Sequence, residues 1–125
     1  MVLPKAKGYR VERGIRKAFE RRGWKVVRAG ASLGEADLVC LKAGRCLLLQ
    51  VKSTKKKAFY YSEYMKDTLE GFRFFLVVDF GYGRIRILPP KKKVTPSSGM
   101  PFEGFLRKFK LGKPNIIKGL IKGDL

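Results

Sequence analysis

Residues 37–54, DLVCLKAGRCLLLQVKST, decide how the rest of the chain is read. Ala43-Gly44 is a two-residue turn between two apolar runs, which marks a β-hairpin over strands 37–42 and 45–54. The three leucines at 47–49 make the second strand a buried one. Gln50 and Lys52 follow two residues apart, so they share a face of the sheet. With a two-residue loop, Lys42 faces Arg45, Leu41 faces Cys46 and Asp37 faces Gln50. Directly opposed side chains have Cβ atoms about 4.5–5.5 Å apart. Asp37, Gln50 and Lys52 are therefore expected to converge at one end of the hairpin, unless a bulge breaks the register. The same register sends Cys40 and Cys46 to opposite faces. No disulfide is expected, and both cysteines read as small core hydrophobes.

Upstream, Val11, Ile15, Ala18 and Phe19 fall on one face of a helix spanning 9–23, which Gly23 stops. At about 100° per residue from Val11, Glu12 falls at about 100°, on the border of the apolar face beside Phe19. Glu20 falls at about 180°, toward water. An acid held against the body of the domain needs a basic partner or a metal, and both readings of Glu12 stand. "WKVVRA" (24–29) reads as a strand and "GASLGE" (30–35) as a loop. Downstream, a basic loop precedes a helix expected over 62–72, capped by Ser62, with Tyr64, Met65, Thr68, Leu69 and Phe72 inward. "RFFLVVDF" (73–80) is a central strand, "GYG" turns it, and "RIRIL" (84–88) alternates like an edge strand. Residues 91–101 read as loop, and 102–125 as one or two short basic helices.

Helices at both ends of a strand meander predict an α/β fold, a mixed central sheet of about five strands flanked by helices. The 125 residues fit one domain, with 1–90 as core and 91–125 as a basic C-terminal extension. No apolar run is long enough for a membrane span, and no signal peptide is visible at the N-terminus, so a cytoplasmic, nucleoid-associated protein is expected.

The charge is +19, from 29 Lys+Arg against 10 Asp+Glu. It is spread over the chain: residues 1–30 carry 10 basic and 2 acidic groups, 31–90 carry 10 and 6, and 91–125 carry 9 and 2. A domain this basic points to a polyanion, with nucleic acid ahead of anionic membrane. Histidine is absent, which excludes Ser-His-Asp, Cys-His and histidine-dependent nuclease chemistry. Two cysteines alone cannot build a zinc site. Carboxylates, Lys and a hard metal ion remain. An acid on a helix, an Asp opening one strand and a Lys on the next form a metal-dependent phosphodiesterase pattern.

From residue 5 to about residue 90, the pieces "KGYRVERGI", "VVRAGAS", "ADLV" and "QVKS" occur in an order and spacing that resemble the archaeal Holliday-junction resolvases. These are members of the PD-(D/E)xK nuclease superfamily. The resemblance implies a restriction-endonuclease-like fold and a homodimeric, archaeal enzyme that cuts four-way DNA junctions with Mg²⁺, for which Mn²⁺ can substitute. It implies that Glu12 is the helix acid, Asp37 the strand acid and Lys52 the catalytic lysine. Ser32 resembles a serine on a loop near the junction, with a plain turn residue as its other reading. Arg13 and Arg28 match positions that contact DNA phosphates. Lys7, Arg10 and Lys55, Lys56 and Lys57 add electrostatic footprint. Tyr60 and Tyr61 read as base-stacking groups, or as core or dimer contacts. Phe102, Phe105 and Phe109 are candidates for a dimer surface.

The departure is Gln50, where the family carries Glu. Gln keeps a carbonyl oxygen but removes a charge, and a hard dication binds less tightly as ligand charge falls. Three outcomes stand. Gln50 and the Val51 carbonyl serve as neutral ligands in an active site; the chain is a weakened junction-binding paralogue; or it is an Mrr-like Q-x-K endonuclease acting on duplex DNA. Glu35 is a candidate for substitute charge.

Overall fold

The computed structural model describes residues 3–29 and 36–111, with side chains over 9–29 and 36–108. Ser32 and Glu35 lie outside the described residues, as do the side chains of Lys7 and Phe109.

Helix α1 runs Leu3–Glu20, beginning earlier than residue 9. Ile15, Ala18 and Phe19 are buried on one face while Glu20 is exposed, as the 3.6-residue period requires. Gly23 closes the helix: its φ is 89° and its amide donates to the Glu20 carbonyl at 3.0 Å, a left-handed cap that suits glycine. Lys42 Nζ donates to the Arg22 carbonyl at 2.6 Å and lies over the Trp24 ring. A cation thus sits where the helix end is most negative.

Strands β1 (Lys25–Arg28), β2 (Leu38–Lys42) and β3 (Arg45–Ser53) follow. Ala43 and Gly44 have φ of 46° and 81°, the two left-handed residues that a tight hairpin turn demands. Pairing runs from Lys42–Arg45 to Leu38–Leu49, the register read from the sequence. Cys40 is buried, Cys46 is partly exposed, and both are free.

The remaining strands are β4 (Phe59–Tyr60), β5 (Thr68–Leu69), β6 (Phe72–Asp79), β7 (Ile85–Leu88), β8 (Lys93–Val94) and β9 (Met100–Pro101). Helix α2 is Phe102–Leu111. The main sheet is ordered β1-β2-β3-β6-β7-β9, with β5 paired to β6; β4 and β8 form a separate ribbon. Only β3–β6 is parallel among the pairs of the main sheet, so the sheet is mixed. Both helices pack on one face, where Ile15, Phe19, Phe102, Phe105 and Leu106 meet Leu47, Leu49, Phe75 and Val77. The other face is covered by Tyr61, Phe59 and Val94 over Leu76 and Val78, and by Tyr64 and Leu69 near Leu48 and Phe74. No described helix is long and apolar enough to cross a membrane.

Four local expectations are corrected. The helix expected over 62–72 does not form. Glu70 and Gly71 take φ of 54° and 86° and turn β5 into β6 as a second tight hairpin. Glu-Gly is a turn signal that broke the helical period there, and Met65 and Phe72 are exposed rather than inward. Strand β7 is not an edge, because β9 pairs with it. Residues 91–101 contain β8 and β9 as well as loop. Phe102 and Phe105 are each 4% exposed, so they belong to the core and cannot offer a dimer surface.

Gly99 is where β9 is forced close to β7. Its φ is 62°, and a Cβ there would stand 2.6 Å from both the Ile87 carbonyl oxygen and the Leu88 Cβ. Gly99→Ala is expected to cost about 1–3 kcal/mol in urea unfolding, from strain and overpacking together. An unchanged midpoint would show that β9 does not lie this close to β7.

Candidate active site

The site forms where β2 runs out against β3. The Asp37 carbonyl continues the β1 ladder by accepting the Ala29 amide at 2.8 Å. Toward β3 the ladder slips. The Asp37 amide donates to the Leu49 carbonyl at 2.7 Å, one residue short of the Leu38–Leu49 register. This is a bulge-like offset, and it corrects the expectation that Asp37 stands squarely opposite Gln50. Its consequence is chemical. Val51 would lose a strand partner beyond the end of β2, and a half-buried amide needs one. The Asp37 carboxylate supplies it: Val51 N–H donates to Asp37 Oδ2 at 2.8 Å. The acid is thereby fixed between Gln50 and Lys52 in the chain.

Burial raises the Asp37 carboxyl above the ordinary carboxylate range; the Val51 amide opposes this, Glu12 adds to it, Lys52 opposes it and Glu63 adds to it. Two carboxylates and one ammonium therefore act on Asp37 from outside its own strand. Glu12 approaches from α1, its side chain 15% exposed, and accepts a hydrogen bond from Arg28 Nε at 2.6 Å. Arg28 in turn lies over the Tyr9 ring. Arg28 is thus tied to the helix acid, though half its side chain stays open to solvent. Lys52 Nζ pairs with Glu63 Oε2 at 2.8 Å. Gln50 is 7% exposed, a buried side-chain amide.

Among the residues singled out from sequence, Glu12, Asp37 and Lys52 share this electrostatic site, and Gln50 lies beside it in the strand. Arg10, Arg13 and Lys55, Lys56 and Lys57 are exposed. Tyr60 is exposed with Lys93 over its ring, while Tyr61 is core. Glu63 was missed. Its signal, an acid in a strongly basic stretch, was hidden by the reading of Ser62 as a helix cap. Among the described residues, no three His, Cys, Asp or Glu side chains gather closely enough to hold a metal. The acidic side chains that act on Asp37 are those of Glu12 and Glu63.

A profile of the archaeal Holliday junction resolvases matches residues 4–93. The chain belongs to that family. As a member it is a nuclease of four-way DNA junctions, and the matched region spans every site residue from α1 to β3. No curated protein matches the chain. Its fold is similar to that of Hjc from Archaeoglobus fulgidus, a Holliday junction resolvase of an archaeal hyperthermophile solved at 1.6 Å. The TM-score is 0.63 and the identity 21%, over 81% of this chain and 96% of that one. The likeness to that resolvase is one of fold.

The raised Asp37 carboxyl has a stability consequence with a definite sign. A carboxyl held above its unfolded value of 3.8 binds more protons folded than unfolded in the interval above that value. Stability is then fully present below it and falls as pH rises through the folded pKa. Asp37→Asn, whose amide oxygen can still accept the Val51 amide, is expected to melt above wild type at pH 7. The gap should close toward pH 3. A variant that melts lower at pH 7 would contradict the burial of this acid.

Proposed function

We propose that this resolvase nicks four-way DNA junctions by metal-dependent phosphodiester hydrolysis, acting as a homodimer. The observation that carries the reading is the fixed Asp37 carboxylate, held by the Val51 amide within the electrostatic reach of Glu12, Lys52 and Glu63. Two carboxylates pressed toward a half-buried point make an environment that a dication would relieve. Hard oxygens suit Mg²⁺, with Mn²⁺ able to substitute. Glu12, Asp37, the Gln50 amide oxygen and the Val51 carbonyl are the residues that would hold it. When bound, such an ion polarises the scissile phosphate and lowers the pKa of its water.

The chain's own groups do the rest. Lys52 sits beside the strand acid and neutralises charge that develops on the phosphate. Glu63 keeps the Lys52 ammonium in place. Arg28 holds the Glu12 carboxylate at the site and, being half exposed, can also meet a phosphate. Ser32 is kept as a junction-side contact. Lys7, Arg10, Arg13 and Lys55, Lys56 and Lys57 supply the nonspecific phosphate attraction. A dimer matches the task, because a four-way junction needs two symmetric nicks. The substrate places the enzyme with the chromosomal DNA of the cytoplasm.

A second reading is favoured by one observation, the buried and uncharged Gln50 two residues before Lys52 on β3. On it, Gln50 leaves a catalytically weakened enzyme that binds junctions tightly and cuts them poorly. Labelled four-way junction and linear duplex, each with Mg²⁺, separate the readings. The first expects symmetric nicking of the junction by wild type. It expects Asp37→Asn and Lys52→Ala to lower the rate about 100–1,000-fold while junction binding persists. Gln50→Glu is expected to lower the Mg²⁺ concentration needed for half-maximal rate. Tight binding with only slow nicking by wild type, raised many-fold by Gln50→Glu, establishes the second.

A further inference from the structure

The Gly81-Tyr82-Gly83 turn between β6 and β7 takes no part in the site described above, yet it is an unusual object. All three residues have positive φ, 91°, 53° and 76°. Glycine adopts such values freely, but a bulky aromatic in the left-handed region is an outlier that costs free energy and persists only where its surroundings enforce it. They do. The Gly81 amide donates to Asp79 Oδ1 at 2.7 Å, and the Arg84 amide donates to the Gly81 carbonyl at 3.0 Å. The Arg84 guanidinium bonds the Gly81 and Phe80 carbonyls at 3.2 and 3.1 Å. The six residues from Asp79 to Arg84 are thus tied down, and what they present is the Tyr82 side chain, with the residue 99% exposed. An aromatic that served the core would be buried; one of no consequence would not need a strained, braced turn.

Beside Tyr82 lies an open cavity of about 360 Å³, lined by Ser53, Thr54, Lys55 and Arg84. It sits at the carboxyl ends of the parallel strands β3 and β6, the end of a parallel pair at which ligands commonly bind. Asp79 also borders it, but one of its oxygens is already committed to the Gly81 amide. Lys55 and Arg84 leave the cavity with net positive charge. Lys55 is three residues beyond Lys52, so at most about 10 Å of chain separates the cavity from the lysine of the active site. A basic, hydroxyl-lined cavity with a solvent-facing aromatic on a braced turn at its rim is chemically complementary to a nucleotide: phosphate on Lys55 and the hydroxyls, base on the ring.

We propose that Tyr82 and the Ser53–Lys55 cavity form a binding site for one unstacked nucleotide of a DNA strand. In a four-way junction that nucleotide is one at the branch point, where base stacking is interrupted next to the phosphate to be cut. That placement rests on the junction-cutting reading; the site itself does not. Tyr82 stacks on the base, and the braced turn spares the ordering entropy that a mobile loop would lose on binding.

Binding of the full chain to a short single-stranded oligonucleotide carrying 2-aminopurine tests the site, with wild type, Tyr82→Ala, Tyr82→Trp and Lys55→Ala compared at one salt concentration. Tyr82→Ala is expected to bind about tenfold more weakly and to lose the fluorescence quenching, with an unchanged salt slope. Tyr82→Trp should match or exceed wild type. Lys55→Ala should lower the salt slope by about 0.7 for the lost phosphate contact. Unchanged affinity and quenching in Tyr82→Ala would overturn the proposal, as would equal losses in Tyr82→Ala and Tyr82→Trp. The junction-over-duplex preference of wild type is measured separately. Its absence would sink the junction reading and leave the single-strand result to judge this one.

Discussion

One hydrogen bond, Val51 N–H to Asp37 Oδ2 at 2.8 Å, joins the architecture to the chemistry. Strand β2 ends one residue too soon to satisfy β3, and a carboxylate completes the ladder in place of a peptide carbonyl. The sheet needs the acid for its backbone, and the proposed metal site needs the same acid for its charge. The cost is a half-buried carboxylate facing two other acids, offset by Lys52 and by Arg28 through Glu12. Such a compromise between stability and function is characteristic of active sites.

The rest of the structure serves to hold that point. The β3–β6 parallel pair is the spine of the sheet, and α1 lies across it with Phe19 and Ile15 buried. That seating sets Glu12 at the rim of the apolar face and not in solvent. On the opposite face, the segment after β3 returns as an irregular cover anchored by Tyr64 and Leu69. Its path brings Glu63 to Lys52. An extended cover in place of a crossover helix therefore supplies the ion-pair partner of Lys52.

Much of this was legible in the sequence. The Ala43-Gly44 turn fixed the hairpin register because a two-residue loop allows only one pairing. The 3.6-residue period of α1 separated Glu12 from Glu20 correctly because their environments differ by nearly a quarter turn of the helix. What escaped was non-local or one residue in size. The slip at Asp37 leaves no mark in a pattern of period two. The β5–β6 hairpin was misread because Tyr64, Thr68 and Leu69 mimic helical spacing, and only the Glu-Gly pair betrays the turn. The burial of Phe102 and Phe105 depends on β9 docking to β7, which Gly99 permits and local propensity does not announce.

Gln50 is the buried polar group on which the account turns, because it exchanges a charge for a neutral oxygen beside the fixed acid. The most direct measurement is anomalous diffraction from crystals soaked in Mn²⁺, with the full chain and again with Asp37→Asn. The account predicts one manganese peak in the wild type, bound by Glu12, Asp37 and the Gln50 amide oxygen with the Val51 carbonyl, and its loss in the variant. No peak at millimolar Mn²⁺, or a peak that survives in Asp37→Asn, would contradict it.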